Sequence, residues 1–206
     1  MTTFQGVVWA ANLLSTAMST LGAILAGGRS TRMGPDKANV EIDGKTMLDR
    51  VAAELGQVCR QVVVLGGSRT GYENWPDDLD SPGPLAGIAT ALNRARQRRV
   101  LVVAVDNAFV RAETLVQLVA VESELPVVPV DAAGVRQVTC AVYPTAIADQ
   151  AEEEAKGGGS VQSLLDRVAL HPVTPDIWSA WGEDGRSWFS VDSPEALAEA
   201  TDRFGG

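Results

Sequence analysis

The chain has 206 residues, 46% of them hydrophobic and 21% charged, which allows a sizeable core and excludes a disordered chain. A formal net charge of −9 argues against a general nucleic-acid binder, because such proteins meet phosphates with a cationic surface. Two cysteines and one histidine exclude a four-ligand zinc site or a multi-histidine metal centre.

Residues 1–20 stand apart as an N-terminal extension. Residues 7–14 are mildly apolar, but no lysine or arginine precedes them, so the charged start of a secretory leader is missing. Met18 stands just before the first strong strand, leaving residues 1–17 as an upstream artefact or a frayed arm. No apolar run is long enough to span a membrane, and no membrane or nucleic-acid partner is expected.

From there apolar strands alternate with amphipathic helices. Residues 21–25 form a short buried strand ending in glycines, and 47–55 carry apolar residues at helical spacing. Residues 62–65 are an apolar strand stopped by Gly66 and Gly67, and 85–95 a second helix after Pro84. The strongest buried strand, 100–105, ends at Asp106. A third helix is expected over 112–121, strands over 127–130 and 138–143, and helices over 145–155 and 161–168. Ser193 opens a last helix, with Pro194 at its first position. His171, beside Pro172, reads as a loop residue, and Cys59 and Cys140 as reduced core thiols. The glutamates at 152–154 read as a solvated helix face, the arginines 94, 96, 98 and 99 as helix-end charges, and Trp178, Trp181 and Trp188 as core. The pattern is α/β: a three-layer, Rossmann-like, mostly parallel sheet with helices on both faces. Ligands of such sheets bind at the carboxyl ends of strands, where the glycines after residue 25 and Asp106 both fall.

Residues 25–37 read Leu-Ala-Gly-Gly-Arg-Ser-Thr-Arg-Met-Gly-Pro-Asp-Lys, three cations against one carboxylate in an acidic chain. Glycines after a strand let backbone N–H groups approach an anion, and arginine and lysine supply charge for phosphate oxygens. The P-loop pattern fails because Pro35 follows Gly34, and the dinucleotide fingerprint fails at Gly27-Gly28-Arg29. Taken alone, the segment could also be an ordinary strand-to-helix turn, and Asp106 equally a turn residue or a carboxylate for a phosphate-bridging magnesium ion.

Leu25-Ala26-Gly27-Gly28, Arg32-Met33-Gly34 and Asp36-Lys37 together resemble the opening motif of the molybdenum cofactor guanylyltransferases, the MobA-like nucleotidyltransferases. Three later segments agree in order and spacing: 83–88, with Gly87; 106–110, opening on Asp106; and 189–197, containing Asp192. The resemblance covers residues 21–204. It implies a single domain over 21–206 of the nucleotide-diphospho-sugar transferase type, with a nucleotide-binding half at 21–110 and an acceptor-binding half at 111–206. It implies transfer of GMP from GTP to the phosphate of molybdenum-bound molybdopterin in the cytoplasm, with release of pyrophosphate. Leu25, Ala26 and Gly27 would hold the guanine nucleotide, and the pair Gly27-Gly28 with Gly87 resembles the guanine-selecting variant of that site. Gly28, Arg32 and Lys37 would hold phosphates. Asp106 would bind magnesium, and Asp77 or Asp78 would contact the nucleotide. Arg32, Lys37 and Asp106 are the expected catalytic residues. Transient contact with cofactor-biosynthesis or acceptor proteins is implied as well.

Three departures bear on this reading. Ala108 replaces a proline usual beside the metal aspartate, and its loss could loosen that loop. Ser190 and Asp192 stand where asparagines usually meet the pterin, so Asp192 could serve as a second metal carboxylate. Leu65-Gly66 replaces an asparagine that some members turn toward the nucleotide. A relative using CTP or another phosphorylated acceptor, and a non-catalytic nucleotide-binding paralogue, remain the alternatives.

Overall fold

The computed structural model describes residues 20–27, 36–79 and 83–205. The expectations for residues 1–19, and those for Gly28 and Arg32, fall outside the described residues. Thr20 is itself the first residue of strand β1 (Thr20–Leu25) and is buried.

After β1 a single 3-10 turn, Lys37–Asn39, leads into a small hairpin, β2 (Glu41–Ile42) and β3 (Lys45–Thr46). Its two-residue turn places Asp43 and Gly44 both at positive φ, the backbone twist a tight hairpin requires. Helix α1 (Met47–Val58) follows, capped by the Thr46 hydroxyl on the Asp49 N–H at 3.0 Å. Then come β4 (Val62–Leu65), β5 (Glu73–Trp75), α2 (Pro84–Arg94) with proline in its first turn, and β6 (Arg99–Ala104). The second half holds α3 (Ala112–Ala120), β7 (Val127–Pro129), β8 (Cys140–Pro144), α4 (Ala148–Lys156) and α5 (Val161–Arg167). It ends with β9 (His171–Val173), α6 (Pro175–Ser179) and α7 (Pro194–Phe204), whose cap is Ser193 as expected.

Among the described residues seven strands form one sheet in the order β5-β4-β1-β6-β8-β7-β9. The block β5-β4-β1-β6 is parallel throughout, β8 runs antiparallel to both neighbours, and β9 is parallel to β7. Side chains alternate across the sheet. Ile24, Val64 and Val103 meet α1 and α3 on one face, while Ala23, Leu25, Val63, Leu65 and Val102 meet α2, α4 and α5 on the other. The expected three-layer sheet, helices on both faces, is the observed one.

Four readings of the sequence need correction. His171 lies at the start of β9, where its N–H donates to the Pro126 carbonyl at 2.8 Å, rather than in a loop. The period-2 signal is too short there to stand out from the flanking turns. Glu154 is not on a solvated face: it is buried, held by Arg167 at 2.7 Å and the Ser163 hydroxyl at 2.7 Å. Among the neighbouring arginines, Arg98 pairs with Glu124 at 3.6 Å and Arg99 reaches the Val119 carbonyl at 3.0 Å, so tertiary partners rather than a helix end hold them. Of the three tryptophans read as core, Trp178 and Trp188 are buried edge to face at 5.3 Å, but Trp181 is only partly covered. Among the described residues no helix is long and apolar enough to cross a membrane.

Candidate active site

The carboxyl ends of β1, β4 and β6 open onto one place because these strands are parallel neighbours in register: Leu25 lies beside Leu65 on one side and Ala104 on the other. The ladder continues past the strand ends, with Ala26 N–H on the Leu65 carbonyl at 3.0 Å and Val105 N–H on the Leu25 carbonyl at 3.0 Å. Residues eighty positions apart in sequence are thereby fixed side by side.

Two glycines are required at this edge. A Cβ on Gly27 would stand 2.7 Å from the Gly66 Cα, and one on Gly66 would stand 2.5 Å from the Gly27 Cα. Gly66 also has φ +79°, a conformation that L side chains rarely adopt. The loops after β1 and β4 thus touch backbone to backbone, and any side chain at Gly66 would require them to part. Gly87, in the first turns of α2, completes the surface: a Cβ there would meet Leu25 Cδ2 at 3.0 Å and Asp77 Oδ1 at 3.5 Å.

The structure separates the two candidate aspartates. Asp78 is forked by the Arg94 guanidinium, and its N–H donates to the Thr90 hydroxyl at 3.0 Å. Asp77 instead turns its carboxyl toward the glycine surface, with Oδ2 at 3.8 Å from the Cβ position of Gly66. Partial burial, reinforced by the neighbouring Asp78 charge and opposed by Arg94, raises the Asp77 pKa above the ordinary carboxylate value.

Across the site Lys37 and Asp106 face each other, Nζ to Oδ2 at 3.6 Å, with both side chains largely covered. Asp106 also accepts from the Ser190 hydroxyl at 3.2 Å, and its carbonyl from the Val191 N–H at 2.8 Å. The closing segment of the chain therefore borders Asp106, and Asp192 follows directly. The Asp106 loop is firmly held despite Ala108 in place of proline. Turn bonds run from Asn107 N–H to the Ala104 carbonyl and from Val110 N–H to the Asn107 carbonyl, both at 3.0 Å. The Arg50 Nε donates to the Ala108 carbonyl at 3.1 Å while its guanidinium sits 5.1 Å over the Phe109 ring. Cation and ring together replace what a fixed φ would have supplied.

Among the described residues no group of three or more histidine, cysteine, aspartate or glutamate side chains converges. The donor chemistry here is one buried-edge carboxylate with a hydroxyl beside it, and the Asn107 side-chain carbonyl, 2% exposed, has no partner among the described residues. Hard oxygens in such small number fit a magnesium ion that keeps water and takes its remaining ligands from phosphates.

Sequence reasoning missed Arg69. Its guanidinium forks the Asp36 carboxylate at 2.5 and 2.9 Å and reaches the Ala26 carbonyl at 3.3 Å. Residues 66–69 carry no motif, and a pairing across 33 positions leaves no periodic trace. The only available signal was a lone arginine shortly after a glycine-ended strand.

A parallel β-α block whose carboxyl ends carry apposed glycines, one lysine and one strand-end aspartate is an α/β arrangement suited to the phosphates of a nucleotide, and the family match places the chain among the nucleotidyltransferases. The chain belongs to the MobA-like NTP transferase domain family, whose model matches residues 22–173. It is 33% identical over 190 residues to a probable molybdenum cofactor guanylyltransferase of Pelotomaculum thermopropionicum, covering 89% of this chain and 92% of the relative. A molybdenum cofactor guanylyltransferase of Sinorhizobium fredii is 32% identical over 194 residues, covering 86% of this chain and 88% of the relative. In fold the chain is similar to the molybdopterin-guanine dinucleotide biosynthesis protein A of Archaeoglobus fulgidus, with a TM-score of 0.77 at 22% identity over 89% of this chain and 97% of that one.

Proposed function

We propose that the protein is a molybdenum cofactor guanylyltransferase, moving GMP from GTP to the phosphate of molybdenum-bound molybdopterin and releasing pyrophosphate. The observation that carries this reading is Lys37 and Asp106 facing each other at 3.6 Å beside the Gly27–Gly66 contact. A cation for phosphates, a carboxylate for a metal and a side-chain-free shelf for a nucleotide thus share one edge. The two relatives named above, one a probable and one a molybdenum cofactor guanylyltransferase, match 89% and 86% of the chain, which supports the reading.

In this reading Leu25, Ala26, Gly27 and Gly87 form the shelf for the guanine nucleoside, and Asp77 accepts from N–H groups of the base. Lys37, with Gly28 and Arg32 of the same motif, holds the triphosphate. Asp106, with Asp192 beside it in the closing segment, would hold magnesium, which when bound supplies charge neutralisation on the phosphate oxygens. A phosphate oxygen of the acceptor attacks the α-phosphorus in line. The bond from the α-phosphorus to the oxygen bridging to the β-phosphorus breaks, and that oxygen leaves with its electron pair in pyrophosphate. The chain's contribution is alignment and charge: Lys37 balances the negative charge gathering on the equatorial and departing oxygens. Residues 21–110 provide the nucleotide half and 111–206 the acceptor half. Contacts with cofactor-biosynthesis or acceptor proteins would fall on the latter. Two buried free thiols suit a reducing compartment, and we assign the protein to the cytoplasm.

Ser190 and Asp192 in place of asparagines favour one second reading, a related transferase using CTP or a different phosphorylated acceptor. Incubation with GTP, magnesium and loaded molybdopterin should yield the guanine dinucleotide and pyrophosphate. A larger thermal stabilisation by CTP than by GTP would move the assignment to a cytidylyltransferase. No product from correctly folded protein would reject transfer altogether.

A further inference from the structure

Arg69 stands outside every motif, yet it ties together the elements around Lys37. Its own backbone is fixed first. Asn74 in β5 accepts from the Arg69 N–H at 2.7 Å and donates from its amide to the Arg69 carbonyl at 2.8 Å and the Tyr72 carbonyl at 2.7 Å. From that anchored loop the guanidinium extends to two places. Both terminal nitrogens fork the Asp36 carboxylate, and Nη2 also donates to the Ala26 carbonyl just past the end of β1. A planar fork can make these contacts together; an ammonium cannot.

Asp36 is equally committed. The same carboxylate caps the 3-10 turn by accepting from the Ala38 N–H at 3.3 Å, and it accepts from the Asn39 side chain at 2.9 Å. Lys37 is the first residue of that turn, and its ammonium lies 3.6 Å from Asp106. A continuous path therefore runs from β5 by neutral amide hydrogen bonds to Arg69, by a charged fork to Asp36, along the chain to the adjacent Lys37, and by an ion pair to the end of β6.

We propose that Arg69 is a positioning residue for Lys37: its fork on Asp36 and Ala26 fixes the turn from which Lys37 meets the triphosphate. The inference rests on the nucleotidyl-transfer reading. Arg69 touches neither phosphate nor acceptor in this role; it removes the freedom of the turn before the nucleotide arrives, so nucleotide binding does not have to order it.

The test compares the unsubstituted protein with R69A, R69K, D36N and the R69A/D36N double variant. GTP affinity is measured by calorimetry, KM for GTP and for loaded molybdopterin by steady-state assay, and folding by thermal melting. R69A and D36N should each weaken GTP binding about tenfold, roughly the loss of one charge-assisted hydrogen bond. R69K should fall between R69A and the unsubstituted protein, because lysine keeps the charge and loses the fork. The double variant should bind GTP as weakly as R69A alone, since both changes break the same link. KM for the acceptor should stay put, which a general loosening of the fold would not allow. Additive losses in the double variant, unaltered GTP affinity in R69K and R69A, or a parallel rise in acceptor KM would each overturn the proposal. Absence of GTP binding by the unsubstituted protein would instead overturn the nucleotidyl-transfer reading on which it stands.

Discussion

At the scale of single residues, the site is made of positions where one atom more or less decides the outcome. Gly66→Ala forces a Cβ into the Gly27 backbone and into a left-handed φ, and should cost at least about 1–2 kcal/mol in denaturant melts. It should also weaken GTP binding, because the two loops must part to make room. Asp77 gives a pH-dependent prediction. A folded pKa above the unfolded one means the protonated form adds stability that is complete below the unfolded value, about 3.9, and is lost as pH rises through the folded value. Above that window the ionised carboxylate works against folding. Asp77→Asn should therefore gain on the unsubstituted protein in stability as pH rises from about 4 to about 7, while losing GTP affinity. A variant that melts identically across that range would contradict the burial effect. The strand-end glycines and Asp106 were legible in the sequence because strand ends are marked by abrupt composition changes. Arg69, Arg50 and the different orientations of Asp77 and Asp78 were not, since each depends on what lies opposite in space.

At the scale of elements, the second half is organised around a buried carboxylate. Glu183, 4% exposed, accepts from the Thr114 hydroxyl at 2.5 Å, the Ser187 hydroxyl at 2.5 Å, and the N–H groups of Asp184, Gly185 and Ser187 at 3.1, 2.7 and 3.2 Å. It fastens the loop after α6 to α3, and that loop leads to Ser190 beside Asp106. Glu183→Ala strands several buried donors at once and should lower stability by about 3 kcal/mol in urea unfolding. Glu183→Gln, which keeps an acceptor oxygen, should lose less. The long helices and continuous apolar strands of the first half could be read from periodicity alone. The short strands β5 and β9 and the helix α6 could not, because three to five residues carry too little pattern and are held by tertiary contacts.

At the scale of the whole molecule, the sheet buries both thiols. Burial pushes Cys59 up to about 12, and it raises Cys140 further, with the Glu183 charge adding to the effect. Neither forms a thiolate at neutral pH, so a thiol reagent should label both only as fast as the protein unfolds. Prompt modification of native protein would show an open route to the core. The three-layer plan was evident from alternating strands and helices. The single reversal at β8 was not, since a buried antiparallel strand and a parallel one are equally apolar.

That reversal shapes what directed evolution could do with this scaffold. Because β8 runs against β6 and β7, the connection over 130–139 and the stretch after β9 both emerge at the pole where β1, β4 and β6 end. Two segments free of the glycine shelf thus frame one rim of the site. If the proposed transfer holds, libraries at the exposed positions 132–135 could search for new acceptors without touching the proposed nucleotide shelf, provided the buried Trp178, whose indole donates to the Val130 carbonyl at 2.9 Å, is kept. Under that proposal, donor choice and acceptor choice would be separately tunable traits.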